Sequence, residues 1–141
     1  MAESARIRLE VVTPTEHAFD GEVDVVNAPG ILGEFGVLPQ HRPMLSATRS
    51  GVVYFRDGDH EEVIVVGPGF AEVEPDHVIL LTDHCEKAFN IDLDDARRKF
   101  EELDARYKAF SGDTKTSEFE ELERDYQWAE AALEGAKRVS R

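Results

Sequence analysis

Five histidines, one cysteine and a set of closely spaced glycines are the residues of this chain that could do chemistry. His17, His41, His60, His77 and His84 form no His-x-His or His-x-x-x-His pair, the spacing by which strand or helix neighbours converge on one ion. Ordinary surface and loop histidines are the reading, and no metal is expected. Cys85 lies between His84 and Glu86, but sequence neighbours in a strand or turn need not face each other, so an inert thiol is expected. A single cysteine also excludes an intrachain disulfide and a multi-cysteine zinc site. Gly30, Gly33 and Gly36 lack the Gly-Lys-Ser/Thr ending of a phosphate loop and read as tight-turn residues. No Gly-x-Ser-x-Gly elbow is present. No residue pattern supports an enzyme acting alone, and no cofactor is called for.

The elements that carry these residues fall into two unlike parts. Residues 1–90 hold all six prolines and eight of the ten glycines, and their net charge is −10. Residues 91–141 hold no proline and carry −4 from ten basic and fourteen acidic residues. In the first part Ile7, Leu9 and Val11 alternate with Arg8, Glu10 and Val12, a strand period. Val52 to Phe55 and Val63 to Val66 flank Asp57-Gly58-Asp59, a hairpin signal, and Phe70 to Val73 and Val78 to Leu81 flank Pro75-Asp76. Short strands with frequent turns predict a β-sandwich or barrel. A parallel α/β sheet is disfavoured because no helical crossover separates the strands.

The second part reads as two helices, over about 91–110 and 117–139. Leu93, Ala96, Phe100, Leu103, Tyr107 and Phe110 are spaced three and four apart, as are Phe119, Leu122, Tyr126, Ala129, Leu133 and Ala136. Asp92 or Asp94 can cap the first helix, and the short connection lets both stripes meet antiparallel. The expected division is a sandwich over 1–88 and a helical hairpin over 89–141. Such a hairpin has little core of its own, so it must lean on the sandwich or on a partner and can switch between them.

With 141 residues and 15.8 kDa, the chain can bury roughly two thirds of its unfolded surface. A net charge of −14 and a pI near 4.7 argue against general binding to nucleic acid or anionic lipid. No apolar run approaches 18 residues and Met1 to Leu9 contain no apolar leader core, so neither a membrane span nor a signal peptide is expected.

Several longer stretches are more specific. Val11-Val12-Thr13-Pro14, Phe19-Asp20-Gly21-Glu22-Val23 and the run from Pro29 through Gly33-Glu34-Phe35-Gly36 to Pro39-Gln40-His41-Arg42-Pro43-Met44-Leu45 closely resemble the epsilon subunit of bacterial F-type ATP synthase. Gln40 stands where that family usually has Gly. Gly67-Pro68-Gly69-Phe70-Ala71-Glu72-Val73 resembles its Gly-Gly-Phe-x-Glu-Val, with Pro68 as the departure, and Cys85-Glu86 sits where Ala-Glu is common. The resemblance covers nearly the whole chain. It implies a ten-stranded β-sandwich followed by an α-helical hairpin, and a non-catalytic place in the central rotor stalk. There the subunit binds the gamma subunit and the c-subunit ring, couples ring rotation to ATP synthesis and in many bacteria restrains ATP hydrolysis. The implied location is the cytoplasmic face of the bacterial inner membrane, peripheral and held through the complex.

The resemblance also assigns residues. Glu34, in a glycine-flanked loop, and Phe35, His41 and Arg42 are expected to face the c-ring or gamma. Lys137, Arg138 and Arg141 form a basic end expected to meet acidic loops of the alpha/beta catalytic head when the hairpin extends. Some relatives bind ATP on the folded hairpin through Ile-Asp-x-x-Arg-Ala. Here Glu86, Ile91, Asp92 and Ala96 match, but Asp95 occupies the Arg position, and Arg97 lies two residues on. A carboxylate facing a triphosphate is repulsive, so ATP is a doubtful ligand. Two other classes stay open on the residues alone: a generic sandwich and coiled-coil adaptor, and a small metal-dependent β-barrel enzyme.

Overall fold

Alternating burial along the strands sets the architecture. The computed structural model describes residues 6–139. Ten strands run in order: β1 (Ile7–Val12), β2 (His17–Val23), β3 (Val25–Gly30), β4 (Gly33–Val37), β5 (Met44–Thr48), β6 (Gly51–Asp57), β7 (His60–Val66), β8 (Gly69–Glu74), β9 (His77–Thr82) and β10 (Cys85–Lys87). They hydrogen-bond in the order β10-β7-β6-β3-β5-β8-β9-β1-β2, with β4 on β3. The sheet folds over itself, so that Phe19 on β2 meets Phe55 on β6 with ring centroids 4.4 Å apart. Ile7, Leu9, Val11, Val26, Val53 and Val73 fill the space between the layers without exposure. All strand pairs are antiparallel except β1 with β9. That one parallel contact needs no helical crossover, because the intervening seven strands make the return.

Turn chemistry agrees with backbone geometry at the hairpins. Gly58 has φ +62°, a left-handed conformation open to glycine, and Asp57 pairs with His60 around it. Gln40 has φ +70°, the left-handed region that disfavours a side chain, and its N–H donates to the Pro75 carbonyl at 2.7 Å.

A single 3-10 turn (Ala88–Asn90) leads to α1 (Leu93–Ala109) and α2 (Ser117–Val139). Asp92 is the cap of α1, its carboxylate accepting from the Asp95 N–H at 2.8 Å. Thr116 Oγ1 accepts from the Phe119 N–H at 3.2 Å at the start of α2. The predicted stripes face each other: Phe100 and Tyr126, Tyr107 and Tyr126, and Tyr107 and Phe119 stack with centroids 4.4–5.7 Å apart.

The hairpin is folded onto the sandwich. Val52, Val63 and Val65, on the outer face of β6 and β7, pack with Ala88 and Ala131, with Tyr54 and Trp128 alongside. This explains the unbroken apolar runs of β6 and β7, since both of their faces are covered. Gly135 is what lets α2 approach: a Cβ there would stand 2.6 Å from Val65 Cγ2. Among the described residues no helix is long and apolar enough to cross a membrane.

Candidate functional site

Three surfaces are candidate sites, and two of them, with the end of α2, hold the residues assigned from sequence. The first is the tip region of the β3–β4 hairpin. Ile31 and Leu32 form its turn and are 63% and 100% exposed. Glu34 and Phe35 belong to strand β4 and not to a free loop, because β4 pairs with β3 from Gly33 to Val37. Alternation then turns them opposite ways. Phe35 packs partly buried against the interior, whereas the Glu34 carboxylate lies on the outer face and accepts from the Tyr54 hydroxyl of β6. That hydrogen bond, with burial second, holds the Tyr54 phenol above its ordinary pKa. His41 and Arg42 follow β4 in a connection fixed by the His41 N–H to Leu38 carbonyl bond of 3.2 Å; His41 Nδ1 lies 2.7 Å from the Arg42 carbonyl.

The second place is the outer face of β5, β8 and β9. The register puts Ala47, Phe70 and Leu81 side by side, with Leu45 in the next row beside Glu72 and Ile79. Leu45 is 73% exposed and Phe70 55%, so this face is an uncovered apolar surface. No local sequence pattern marks this face as a site. The alternation in Phe70-Ala71-Glu72-Val73 was visible, but only the pairing shows that Leu45, Phe70 and Leu81 form one patch.

The third place is the groove between hairpin and sandwich, a cavity of about 740 Å³. Glu86, Ile91, Asp92 and Ala96, scattered over the chain connection, all line it. So does Asp95, which pairs with Lys99 at 3.0 Å and with Arg98. The Lys99 hydrogen bond holds the Asp95 carboxyl below its usual range, against a smaller opposing effect of burial. Arg97 is turned to Asp94, 3.7 Å away, and does not line the groove. Six carboxylates face three lysine and arginine side chains there, so a triphosphate would meet net negative charge. Trp128 closes one side, tilted against His84 at 4.6 Å.

Of the basic end, Arg138 is already engaged in the folded hairpin. Its Nε donates to Glu61 at 3.3 Å and its guanidinium lies 3.6 Å above the Tyr54 ring. Lys137 is exposed, and Arg141 lies outside the described residues.

Two scattered histidines do converge. His17 and His77 reach the two oxygens of Glu10, at 3.1 and 2.5 Å. β2 carries His17 to one side of β1 and β9 carries His77 to the other, and linear spacing could not reveal the second neighbour. Arg8 grips neighbouring Asp20 through two 3.0 Å bonds and lies 3.5 Å from Glu10. The carboxylates are thereby satisfied by protein cations and donors, an ion-pair network rather than an open ligand set. Burial, with Glu16 and Glu86 nearby, pushes the Cys85 thiol up, which lowers its thiolate share.

Residues 6–88 match the family described as ATP synthase, Delta/Epsilon chain, beta-sandwich domain. The chain belongs to this family. It is a non-catalytic subunit of ATP synthase. An ATP synthase epsilon chain of Desulfosudis oleivorans is 40% identical over 110 residues, covering 77% of this chain and 81% of that one. One from Synechococcus sp. RCC307 is 33% identical over 131 residues, covering 93% and 97%. A chain in the structure of the Euglena gracilis mitochondrial ATP synthase, OSCP/F1/c-ring, superposes with a TM-score of 0.78 at 22% identity, covering 94% of this chain and 82% of that one. It shows the shared fold. The full span of the Synechococcus match includes the helical hairpin as well as the sandwich.

Proposed function

We propose that this chain is the epsilon-type rotor subunit of a bacterial F-type ATP synthase, and that its hairpin restrains ATP hydrolysis by leaving the sandwich for the catalytic head. The observation that carries the regulatory part is the seat of α2. It rests on β6 and β7 through Ala131, Gly135 and neighbouring small side chains, while the sandwich keeps a separate interior. An element held that way can detach without opening the core beneath it. In this reading the Leu45–Phe70–Leu81 face seats the gamma subunit. Ile31, Leu32 and Glu34 meet the c-ring, while His41 and Arg42, at the opposite end of β4 near Pro75, face gamma. Lys137 and Arg138, freed from the sandwich, meet acidic loops of the head. The complex holds the subunit at the cytoplasmic face of the membrane. The carboxylate excess of the groove makes ATP a poor occupant, so the proposed regulation needs no nucleotide on this subunit.

The test is the assembled enzyme with this chain shortened after Phe110. Faster ATP hydrolysis than with the full chain supports the restraint. An unchanged rate removes it and leaves coupling alone. In parallel, Leu45→Asp with Phe70→Asp should abolish co-elution with gamma; retained co-elution would move the gamma seat elsewhere.

A further inference from the structure

Glu34 and Arg138 sit at opposite ends of the functional reading, yet one side chain touches both. Tyr54 projects from the outer face of β6. Its neighbour across the sheet is Asn27 on β3, which in turn faces Gly36 on β4, so the phenol reaches over β3 toward Glu34. The hydroxyl donates to the Glu34 carboxylate. The ring face is covered by the Arg138 guanidinium at 3.6 Å, and the same guanidinium is tied to Glu61 on β7. From the last turn of α2 to the outer edge of β4 there is therefore one continuous set of contacts.

We infer that Tyr54 couples the docking of the α2 terminus to the position of Glu34, so that each contact strengthens the other. The physical basis is polarisation. A phenol that donates to a carboxylate carries more electron density on its ring, and a denser ring holds a guanidinium more firmly. A cationic group that draws Glu34 away from Tyr54 weakens the hold on Arg138 and favours release of the helix end. Release of Arg138 in turn leaves Tyr54 a poorer anchor for Glu34. Such coupling is reciprocal by thermodynamic necessity. The inference deepens the rotor reading and rests on it for biological meaning: occupation of the β3–β4 edge by a basic partner would loosen the hairpin. Tyr54 is a positioning residue in this scheme.

The test uses the full chain, free of partners. Amide hydrogen exchange at Ala131 to Val139 reports opening of the α2 end. Glu34→Gln and Tyr54→Phe should each speed that exchange about two- to fivefold, the range of an exposed cation–π contact. The double variant should exchange no faster than either single one. Tyr54→Phe keeps the ring and its packing, so it reads the hydroxyl alone. Unchanged exchange in Glu34→Gln, or effects that multiply in the double variant, would overturn the coupling. Because no partner is present, that failure would leave the rotor reading intact. Faster exchange in both variants, with hydrolysis by the shortened assembled enzyme unchanged, would sink the restraint and keep the coupling.

Discussion

The sandwich interior and the hairpin seat are built from different materials. Between the sheet layers, Ile, Leu and Val side chains interdigitate with no exposure. Beneath α2, alanines and a glycine meet valines, and along the helix–helix seam the aromatic rings are only half covered. The first region gains by volume buried and the second by closeness of approach. Loss of the first unfolds the chain, whereas loss of the second moves one part of it. The same sandwich thus has one outer face roofed by its own helix and another left apolar and open.

The largest expected effect breaks the stronger side of this contrast. Leu9→Ala removes a fully buried side chain of β1 and should cost about 3–5 kcal/mol in denaturant unfolding of the whole chain. Gly135→Val attacks the seat instead, placing a side chain where Val65 already stands. It should cost about 1–3 kcal/mol of hairpin docking. Trp128, the only tryptophan, lies against His84, so its emission should shift to the red while the sandwich transition keeps its midpoint. A common shift in both transitions would show that the two regions are one cooperative unit. Gln40→Gly relieves a left-handed residue in the exposed β4–β5 turn, offset by glycine's greater freedom when unfolded, and should stabilise the sandwich by about 0.5 kcal/mol.

The smallest effect concerns the seam. The hydrogen bond from Lys108 holds Asp104 below the usual carboxyl range, and Tyr126 adds to it. A lowered folded-state pKa contributes stability that is present above the ordinary value near pH 4 and is lost as pH falls through the lower one. Asp104→Asn should flatten the pH dependence of hairpin docking below about pH 4, read again by Trp128 emission.

Much of this was legible in the residues. Strand alternation in β1, the turn at Gly58 and the two helical stripes each depend on local periods, and the structure has them where the pattern put them. Flanking glycines give Glu34 the local pattern of a loop residue; pairing along β3 makes it part of a strand. The open face, the Glu10–His77 pair and the Tyr54 contacts depend on residues 20 to 84 positions apart, and no local pattern encodes which distant strands become neighbours. The double-sided runs of β6 and β7 were a signal that could have been used: a strand apolar on both faces demands a cover on each.

The parallel seat of β1 has a consequence for how the chain is made. Its β2 partner follows at once, but its other neighbour, β9, ends at Thr82. During synthesis at roughly 5–20 residues per second, the first strand must wait several seconds with one edge unpaired before the sandwich can close. The hairpin emerges only after that closure is possible, and so arrives at a finished platform. A ribosome-stalled chain ending soon after residue 82 has emerged should therefore already resist protease, with its open β5–β8–β9 face complete before the hairpin exists.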